Sequence, residues 1–484
     1  MTRHTDIIDL HCHSIMKPFG KSFGGPAKRA DPWFRDKPGL WEKAQNKVAK
    51  LTRFTQSDMA SLALGNVRVA FVSLYPLEKG FVINKQGHGT VSDSGLDLAT
   101  CLGQPRIDHL QAMPDYFKDL NAEYRFLCAG ADKPHRVDGH NWTYRVVSSI
   151  AQVDTALLES PTTICVVPTI EGAQVFNSGL LLMNRLANEQ ELLANVREVK
   201  GWEHPPFFMT FAHHFDNELC GHALAFDQGI QREQLDQRSR LGEGFTPLGW
   251  KVLEEMLGTD SGRRILIDIK HMSPLARRQY IARAAQDAIP LIVSHGAVNG
   301  ASSMEDPRHA NQPTAGRFSA TGLLPQLGSK HPVSINFYDD ELIAIARSQG
   351  IFGMQMDERR IGSDDWLRKG SGRLERRKAL FYSSQLIWNQ IQHMAEVLDA
   401  QGLSAWDIQA IGTDHDGIVD PPNGYWSAVD LNDLDDYLLM HAHNYLRSDG
   451  NSLRNSFNRG IDPELLVDKV MHGNAMAFMR RWFV

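Results

Sequence analysis

Cysteine is scarce in this chain, and the spacing of the few that occur excludes two common kinds of site. The five cysteines are Cys12, Cys101, Cys128, Cys165 and Cys220. Their number is odd and no Cys-x-x-Cys pair occurs, which argues against a disulfide framework and against a thiolate zinc site. We therefore expect free, buried thiols, as in a cytoplasmic protein.

The chain also lacks a long apolar run, a secretory start and a basic tract. No stretch of about eighteen apolar residues is present to cross a bilayer. The first residues, MTRHTDIIDL, lack the apolar core and the cleavage site of a signal peptide. The net charge of -6 combines interspersed charges of both signs, which gives no footprint for nucleic acid. We expect a cytoplasmic protein that binds a small-molecule substrate, with no membrane or nucleic acid partner.

Short apolar runs rich in Val, Ile and Phe recur along the chain, separated by segments long enough for a helix. The runs span residues 6–13, 67–75, 162–172, 206–214, 264–271, 290–295, 351–356 and 408–414. Eight such βα units predict the α/β class and a (β/α)8 TIM barrel. We expect residues 1–484 to form one barrel domain, with long loop insertions after strands 1, 2 and 6. These insertions fall at about 14–65, 77–161 and 296–350.

Acidic residues and histidines mark the ends of six of these runs, which is where a (β/α)8 barrel carries its active site. They are His11, His13, Glu171, His213, His271, His295 and Asp414. Alternate residues of a strand point to one face, so His11 and His13 can share a metal ion while Cys12 faces away.

Glu171 ends the third run, and Gly172 lets the backbone turn sharply there. A carboxylate beside the paired histidines can bridge two ions, although a helix-capping glutamate is the simpler alternative. His271 and His295 end consecutive strands and can hold a second ion. Asp268 is either a residue that orients a ligand or a buried structural acid.

The last run ends in TDHDG, and barrel closure brings this end next to the first strand. A carboxylate here suits proton transfer, and strand alternation favours Asp414 over Asp416. The fourth run ends in the pair His213 and His214, one of which can donate a hydrogen bond to an oxyanion. The pattern alone does not choose between these two histidines.

The order of these motifs resembles the membrane (renal-type) dipeptidase family of the amidohydrolase superfamily. The motifs are DLHCH, IEGA, AHHFDN, GFTPLGWKVLEEM leading into LIDIKHMS, IVSHGA, IGTDHDG and, more weakly, VMHGNAMAF. The resemblance implies a metallopeptidase that cleaves a dipeptide or related small amide through a hydroxide bridging two divalent ions, with zinc as the expected metal. Barrels of this type often pair, so a homodimer is also implied.

The resemblance assigns a role to each candidate residue. Glu171 is implied as the bridging carboxylate, His11 and His13 as ligands of the first metal, and His271 and His295 as ligands of the second. Asp414 is implied as the catalytic acid and base. Alignment of the fourth motif gives the substrate-binding and oxyanion role to His213 rather than to His214.

The sequence departs from the family at two positions. The family usually has His-x-Asp at strand one, so His13 leaves the pair of ions one unit more positive. The family's arginine for the substrate carboxylate is replaced by Ile335. The arginines that remain as alternatives are Arg308, Arg317, Arg359 and Arg360.

Other functions remain open at this point. A lactonase or an N-acyl amino acid hydrolase of the same superfamily is the nearest alternative, because the missing arginine weakens the argument for a dipeptide. A metal-dependent phosphoesterase also opens with DLHCHS, but the IEGA and GFTPLG motifs favour the dipeptidase-like reading. A barrel that only binds a ligand is disfavoured by the intact set of candidate ligands together with Asp414.

Overall fold

The computed structural model describes residues 6–40, 42–43, 46, 52–83, 96–97, 100–227, 234–305, 317–370, 375–448 and 451–484. The strands in these ranges are β1 (Ile7–Cys12), β2 (Val67–Leu74), β3 (His135–Val137), β4 (His140–Val146), β5 (Thr163–Glu171), β6 (Phe208–Thr210), β7 (Leu266–Asp268), β8 (Ile292–Gly296), β9 (Ile351–Met354) and β10 (Gln409–Ile411). Within the described ranges, no helix is both long and apolar enough to cross a membrane.

Eight of the strands in the described ranges close into a parallel barrel. The strand β1 pairs with β2, β2 pairs with β5, and pairing then follows the chain order from β5 to β10. The strand β10 closes the barrel on β1, where Ile411 lies opposite Asp9. The predicted (β/α)8 barrel is therefore confirmed, and each predicted apolar run contains one barrel strand.

The longest strands explain why the pattern was legible. All residues of β2 (VRVAFVSL) and of β5 (TICVVPTIE) are buried. Strands of a parallel barrel are covered on both faces, so their sequences read as nearly continuous apolar runs. The gaps between β1 and β2, between β2 and β5, and between β8 and β9 hold the three predicted insertions.

The second insertion contains a hairpin that the apolar pattern does not predict. The strands β3 and β4 pair antiparallel, and Asp138 and Gly139 between them have φ values of 45° and 83°. An Asp-Gly turn with two positive φ values suits a tight hairpin. Its strands are half-exposed and polar, so the search for apolar runs missed them.

Helices connect and surround the strands. They span Met16–Lys21, Met59–Leu64, Lys79–Val82, Gln104–Ala112, Tyr116–Gly130, Ile150–Glu159, Glu189–Lys200, Pro247–Leu257, Pro274–Gln286, Asp339–Arg347, Glu358–Ile361, Asp364–Gly370, Arg376–Ala400, Leu431–Arg447, Ser456–Arg459, Pro463–Asp468 and Asn474–Trp482. The helix Pro274–Gln286 links β7 to β8 and is capped by Ser273, whose hydroxyl accepts the backbone N–H of Ala276. This tight βα unit fixes the ends of β7 and β8 as neighbours.

Candidate metal centre

The candidate residues lie at or just beyond the carboxyl ends of the barrel strands. His11 and His295 lie within β1 and β8, and Glu171 is the last residue of β5. The strand predictions overran at three other places, because His213, His271 and Asp414 each lie three residues beyond the end of a strand.

Backbone conformation explains two of these overruns. His271 and Asp414 have φ values of 65° and 59°, in the left-handed region that an extended strand does not occupy. His and Asp are among the non-glycine residues that tolerate this region best. The turns aim both side chains back over the mouth of the barrel.

The imidazoles converge on one carboxylate. The distances from Nε2 to the nearer Glu171 oxygen are 3.5 Å for His11, 3.1 Å for His13, 3.5 Å for His213, 3.4 Å for His271 and 3.5 Å for His295. His11, His271 and His295 face Oε1, whereas His13 and His213 face Oε2. Residues separated by hundreds of positions therefore meet at Glu171.

The histidines form two close pairs around this carboxylate. The Nε2 atoms of His11 and His13 are 3.2 Å apart, and those of His271 and His295 are 3.1 Å apart. Asp414 contacts both pairs, with Oδ1 lying 3.6 Å from His13 and Oδ2 lying 3.9 Å from His295. The sequence grouped the histidines in the same two pairs.

Burial and unsatisfied atoms indicate that this cluster suits cations. Glu171 is only 2% exposed, and no hydrogen bond reaches its Oε1 from the described residues. A buried carboxylate without donors is costly unless a cation lies beside it. Imidazole nitrogens and carboxylate oxygens are the donors that divalent zinc takes in proteins. The residues present therefore fit two divalent ions that share Glu171.

Ser294 determines which nitrogen of two histidines faces the cluster. Its hydroxyl donates to Asp268 Oδ2 at 2.6 Å and lies 2.8 Å from Nδ1 of His295 and 3.3 Å from Nδ1 of His11. A serine hydroxyl has one proton and two acceptor sites, so it can accept an N–H from each ring. This arrangement leaves both Nε2 atoms free to bind a metal.

Comparisons with known proteins add information about the fold. No protein-family model matches the chain, and no curated protein sequence matches it either. A crystal structure of the dipeptidase AC, a metallopeptidase, has a TM-score of 0.54 and 15% identity and covers 100% of both chains. A metallopeptidase from Rhodobacter sphaeroides, solved with a phosphinate mimic of the dipeptide L-Ala-D-Ala, has a TM-score of 0.53 and 15% identity and covers 99% of both chains.

The chain has the metallodipeptidase fold. The fold implied by the resemblance to membrane dipeptidases is therefore confirmed, at a sequence identity that carries information about the fold alone. In this dipeptidase-like barrel the cluster lies at the carboxyl ends of the strands, where enzymes built on (β/α)8 barrels have their active sites.

Electrostatics give the residues of the dipeptidase-like cluster different charge states. Burial alone would raise the pKa of Glu171, but the charges of His213 and His11 hold it well below its ordinary value. Burial, together with the charge of His213, lowers the pKa of His271 well below its ordinary value. Burial and the charge of His11 do the same for the pKa of His295. The second histidine pair is thus neutral and able to act as a ligand at pH 7.

Glu78 is a functional candidate that the sequence analysis missed. Its Oε2 lies 2.5 Å from Nδ1 of His213 and accepts the hydroxyl of Tyr75 at 3.1 Å, while its Oε1 accepts the backbone N–H of Phe215 at 3.1 Å. These contacts fix the His213 ring with Nε2 aimed at Glu171. Strand β2 has no acid or histidine at its very end, and Glu78 follows four residues later, which is the only signal the sequence offered.

The structure separates the alternatives in the two ambiguous motifs. Asp416 pairs with Lys17 at 2.8 Å and accepts the backbone N–H of Ser57 at 2.7 Å, so it anchors the first insertion while Asp414 enters the cluster. His214 also lies nearby, with its ring 3.8 Å from that of His213. The potential ligand atoms of His213, His214 and His271 all lie within 4.8 Å of one another. Of the histidines 213 and 214, only 213 is within ion-pair distance of Glu171 in the described structure.

The four alternative arginines have different positions. Arg308 lies outside the described residues, and no described contact joins the side chain of Arg317 to the cluster. Arg359 is already paired with Asp357 at 2.6 Å. Arg360 is buried and has no such pair among the described residues. The position of the family's arginine is occupied by Ile335, which packs in a small apolar cluster with Ala223 and Ala225.

Proposed function

We propose that this protein is a metal-dependent hydrolase that cleaves a dipeptide or a related small amide at a binuclear centre. The observation that carries the proposal is Glu171, whose two oxygens each face histidines from different barrel strands. A buried carboxylate in this position is suited to hold two cations a short distance apart. The dipeptidase-like fold supports the same reaction class.

In this proposal His11 and His13 hold one ion, His271 and His295 hold the other, and Glu171 joins them. When bound, two divalent ions of this kind supply a hydroxide nucleophile near neutral pH and polarise the scissile carbonyl. Zinc is the metal we propose, because the donor set is rich in imidazole. His13 in place of an acid leaves the centre more positive, which favours anionic substrates.

Asp414 is proposed to move the proton from the attacking water to the leaving amine. Burial, opposed by the charge of His11 and assisted by that of Glu171, raises the pKa of Asp414 to about 6. A group with a pKa close to the working pH can both accept and donate a proton. Gln355 donates to Asp414 Oδ2 at 2.7 Å and holds the carboxylate in place.

His213 is proposed to bind the substrate carbonyl and to stabilise the oxyanion. Burial lowers its pKa, but the charges of Glu171 and Glu78 outweigh burial and raise the pKa above the ordinary value. A protonated imidazole is a strong donor to developing negative charge. Glu78 on Nδ1 leaves the Nε2–H free to make that bond.

The test is metal analysis of the purified protein combined with a screen of L,L and L,D dipeptides. We expect about two zinc ions per chain, dipeptide turnover, loss of turnover on chelation and recovery on adding zinc. Two ions without amide turnover, but with turnover of a lactone or a chromogenic phosphate ester, would replace the proposed substrate class. One ion or none would contradict the binuclear centre.

We further propose that the enzyme acts in the cytoplasm as a homodimer. All five cysteines are free thiols, and three of them are buried. Free thiols are the state expected in a reducing compartment. Sedimentation of the purified protein tests the dimer, which a mass of one chain would contradict.

A further inference from the structure

Two buried cations beside the candidate centre lack a counter-charge. Lys270 is 0% exposed and Arg360 is 5% exposed, yet neither forms an ion pair within the described part of the chain. Their hydrogen bonds go to neutral groups. Lys270 Nζ donates to Gln355 Oε1 at 3.2 Å, and Arg360 Nη2 donates to the carbonyl of Ala225 at 2.5 Å. Buried charges are strongly unfavourable unless an opposite charge is supplied.

Other buried arginines in this chain do have partners. Arg106 pairs with Asp119 at 2.6 Å, and Arg277 pairs with Glu341 at 2.5 Å. Arg359, the immediate neighbour of Arg360, also has its own carboxylate. The lack of a partner at Arg360 is therefore a local feature of the centre rather than a habit of the fold.

Both cations lie on the same side of the centre. Lys270 follows β7 and precedes His271, while Gln355 and Arg360 follow β9. Gln355 joins Lys270 to Asp414 through bonds of 3.2 and 2.7 Å. The charge of Arg360 reaches this group, since burial and then Arg360 lower the pKa of Lys270.

The surroundings strengthen any ion pair formed there. The carbonyl that holds Arg360 belongs to Ala225, which packs with Ala223, Ile335 and Phe226 in the small apolar cluster. The ring of Phe226 in turn lies 4.8 Å from the ring of His214. A guanidinium in apolar surroundings binds a planar carboxylate more strongly than one in water.

We propose that Lys270 and Arg360 together bind a free carboxylate of the substrate, beside the amide that is cleaved. This inference rests on the proposed function and narrows it to amides that carry a carboxylate near the scissile bond. Arg360 supplies the two-pronged contact and Lys270 adds a single charge. The carboxylate is the missing counter-charge of both side chains.

The first experiment needs no variant. We expect the wild-type enzyme to prefer L-Ala-D-Ala over its C-terminal amide by about 10–100-fold in kcat/KM, the range for a lost charged hydrogen bond. Equal values for the two substrates would overturn the inference. Turnover of the amide by metal-loaded enzyme would at the same time leave the proposed function intact.

The variant Arg360→Gln then assigns the preference to a residue. We expect KM for the free dipeptide to rise by about tenfold or more, with turnover of the dipeptide amide unchanged. Arg317→Gln is the matched control, and it should keep the full preference. If Arg360→Gln does not fold, as judged by its thermal unfolding, Lys270→Met is measured in the same way. A variant that folds and keeps the full preference would overturn the assignment.

Direct binding separates failure of the inference from failure of the proposed function. If no peptide is hydrolysed, the proposed function fails. The thermal stabilisation by a phosphinate mimic of L-Ala-D-Ala is then compared with that by its C-terminal amide. Stronger stabilisation by the carboxylate form, reduced in Arg360→Gln, supports the anion site on its own. Equal stabilisation by the two forms overturns it.

Discussion

The hydroxyl of Ser294 lies 2.6 Å from a carboxylate oxygen of Asp268, and both residues are buried. The same hydroxyl accepts from the rings of His11 and His295, which belong to different histidine pairs. One serine therefore orients a ligand of each proposed ion. Replacing it with alanine leaves both Nδ1 atoms without their partner.

We expect Ser294→Ala to weaken zinc binding by about 10–100-fold, the usual effect of removing a residue that orients metal ligands. Competition against a chelating dye measures this change. Ser334→Ala is the control, because that buried hydroxyl donates to the carbonyl of Asn336 instead. Zinc affinity equal to that of the wild type in Ser294→Ala would refute the orienting role.

The two acids of the last motif have different roles, so their amide variants should differ. We expect Asp414→Asn to retain its metals and to lose about 10²–10⁴-fold in kcat, since proton transfer contributes that much. Full turnover by the metal-loaded variant would exclude Asp414 as the acid and base.

Asp416→Asn is the matched comparison two residues away. It leaves Lys17 buried without its partner, which costs about 3–5 kcal/mol of unfolding free energy. We expect kcat of the folded protein to change little. Urea unfolding and steady-state kinetics on the same preparation separate these effects, and a large fall in kcat with unchanged stability would reverse the assignment.

Glu78 should influence the rate through His213. Its charge helps to raise the pKa of His213, whose donor function requires the protonated ring. Removing the charge in Glu78→Gln lowers that pKa, so activity should be lost at a lower pH on the alkaline side. We expect kcat/KM to fall about tenfold at pH 8 and less at pH 6.

The control for this profile is Glu218→Gln. Glu218 accepts the backbone N–H groups of Gly179 and Ala187 and does not touch His213 in the described structure. Its variant should keep the wild-type pH profile. An unshifted profile in Glu78→Gln would show that Glu78 is not needed to hold the charge on His213.

Glu123 should make stability depend on pH. It is fully buried, its Oε2 accepts the backbone N–H of Tyr75, and burial with the charge of Asp119 raises its pKa to about 8. The ordinary value in an unfolded chain is 4.5. The folded state therefore binds more protons between these two values, and stability falls as the pH rises through this window.

Glu123→Gln removes that loss. We expect the variant to exceed the wild type by about 2–4 kcal/mol of unfolding free energy at pH 8 and to differ little at pH 5. Urea unfolding at the two pH values measures this. The exposed Glu189→Gln is the control, and a gain that is the same at both pH values would contradict the assignment to Glu123.

The sequence predicted the residues whose positions follow from local rules. His11 and His13 share a face because a strand alternates, and Glu171 ends a strand that is apolar throughout. Once the barrel is known, all strand ends lie at one mouth. The main-chain turns that bring His271 and Asp414 back over that mouth were not legible from composition.

The residues that hold the candidate ligands in place were beyond the reach of sequence patterns. Glu78 and His213 are 135 positions apart, and neither the spacing nor the residue types announce their contact. Ser294 looked like an ordinary strand residue, since its role depends on two rings that meet only in the folded barrel. Arg360 was one of four alternatives until the partners of its neighbour were known.

Closure of the barrel has a consequence for the order of events during synthesis. Thr413 bonds Asp9 across 404 positions, and the backbone N–H of Asp414 donates to the carbonyl of His11. The first ligands to leave the ribosome therefore wait for almost the whole chain before the last strand joins them. Two ions can be held with all their contacts only after that strand docks, so metal uptake marks the moment at which the newly made chain completes its barrel.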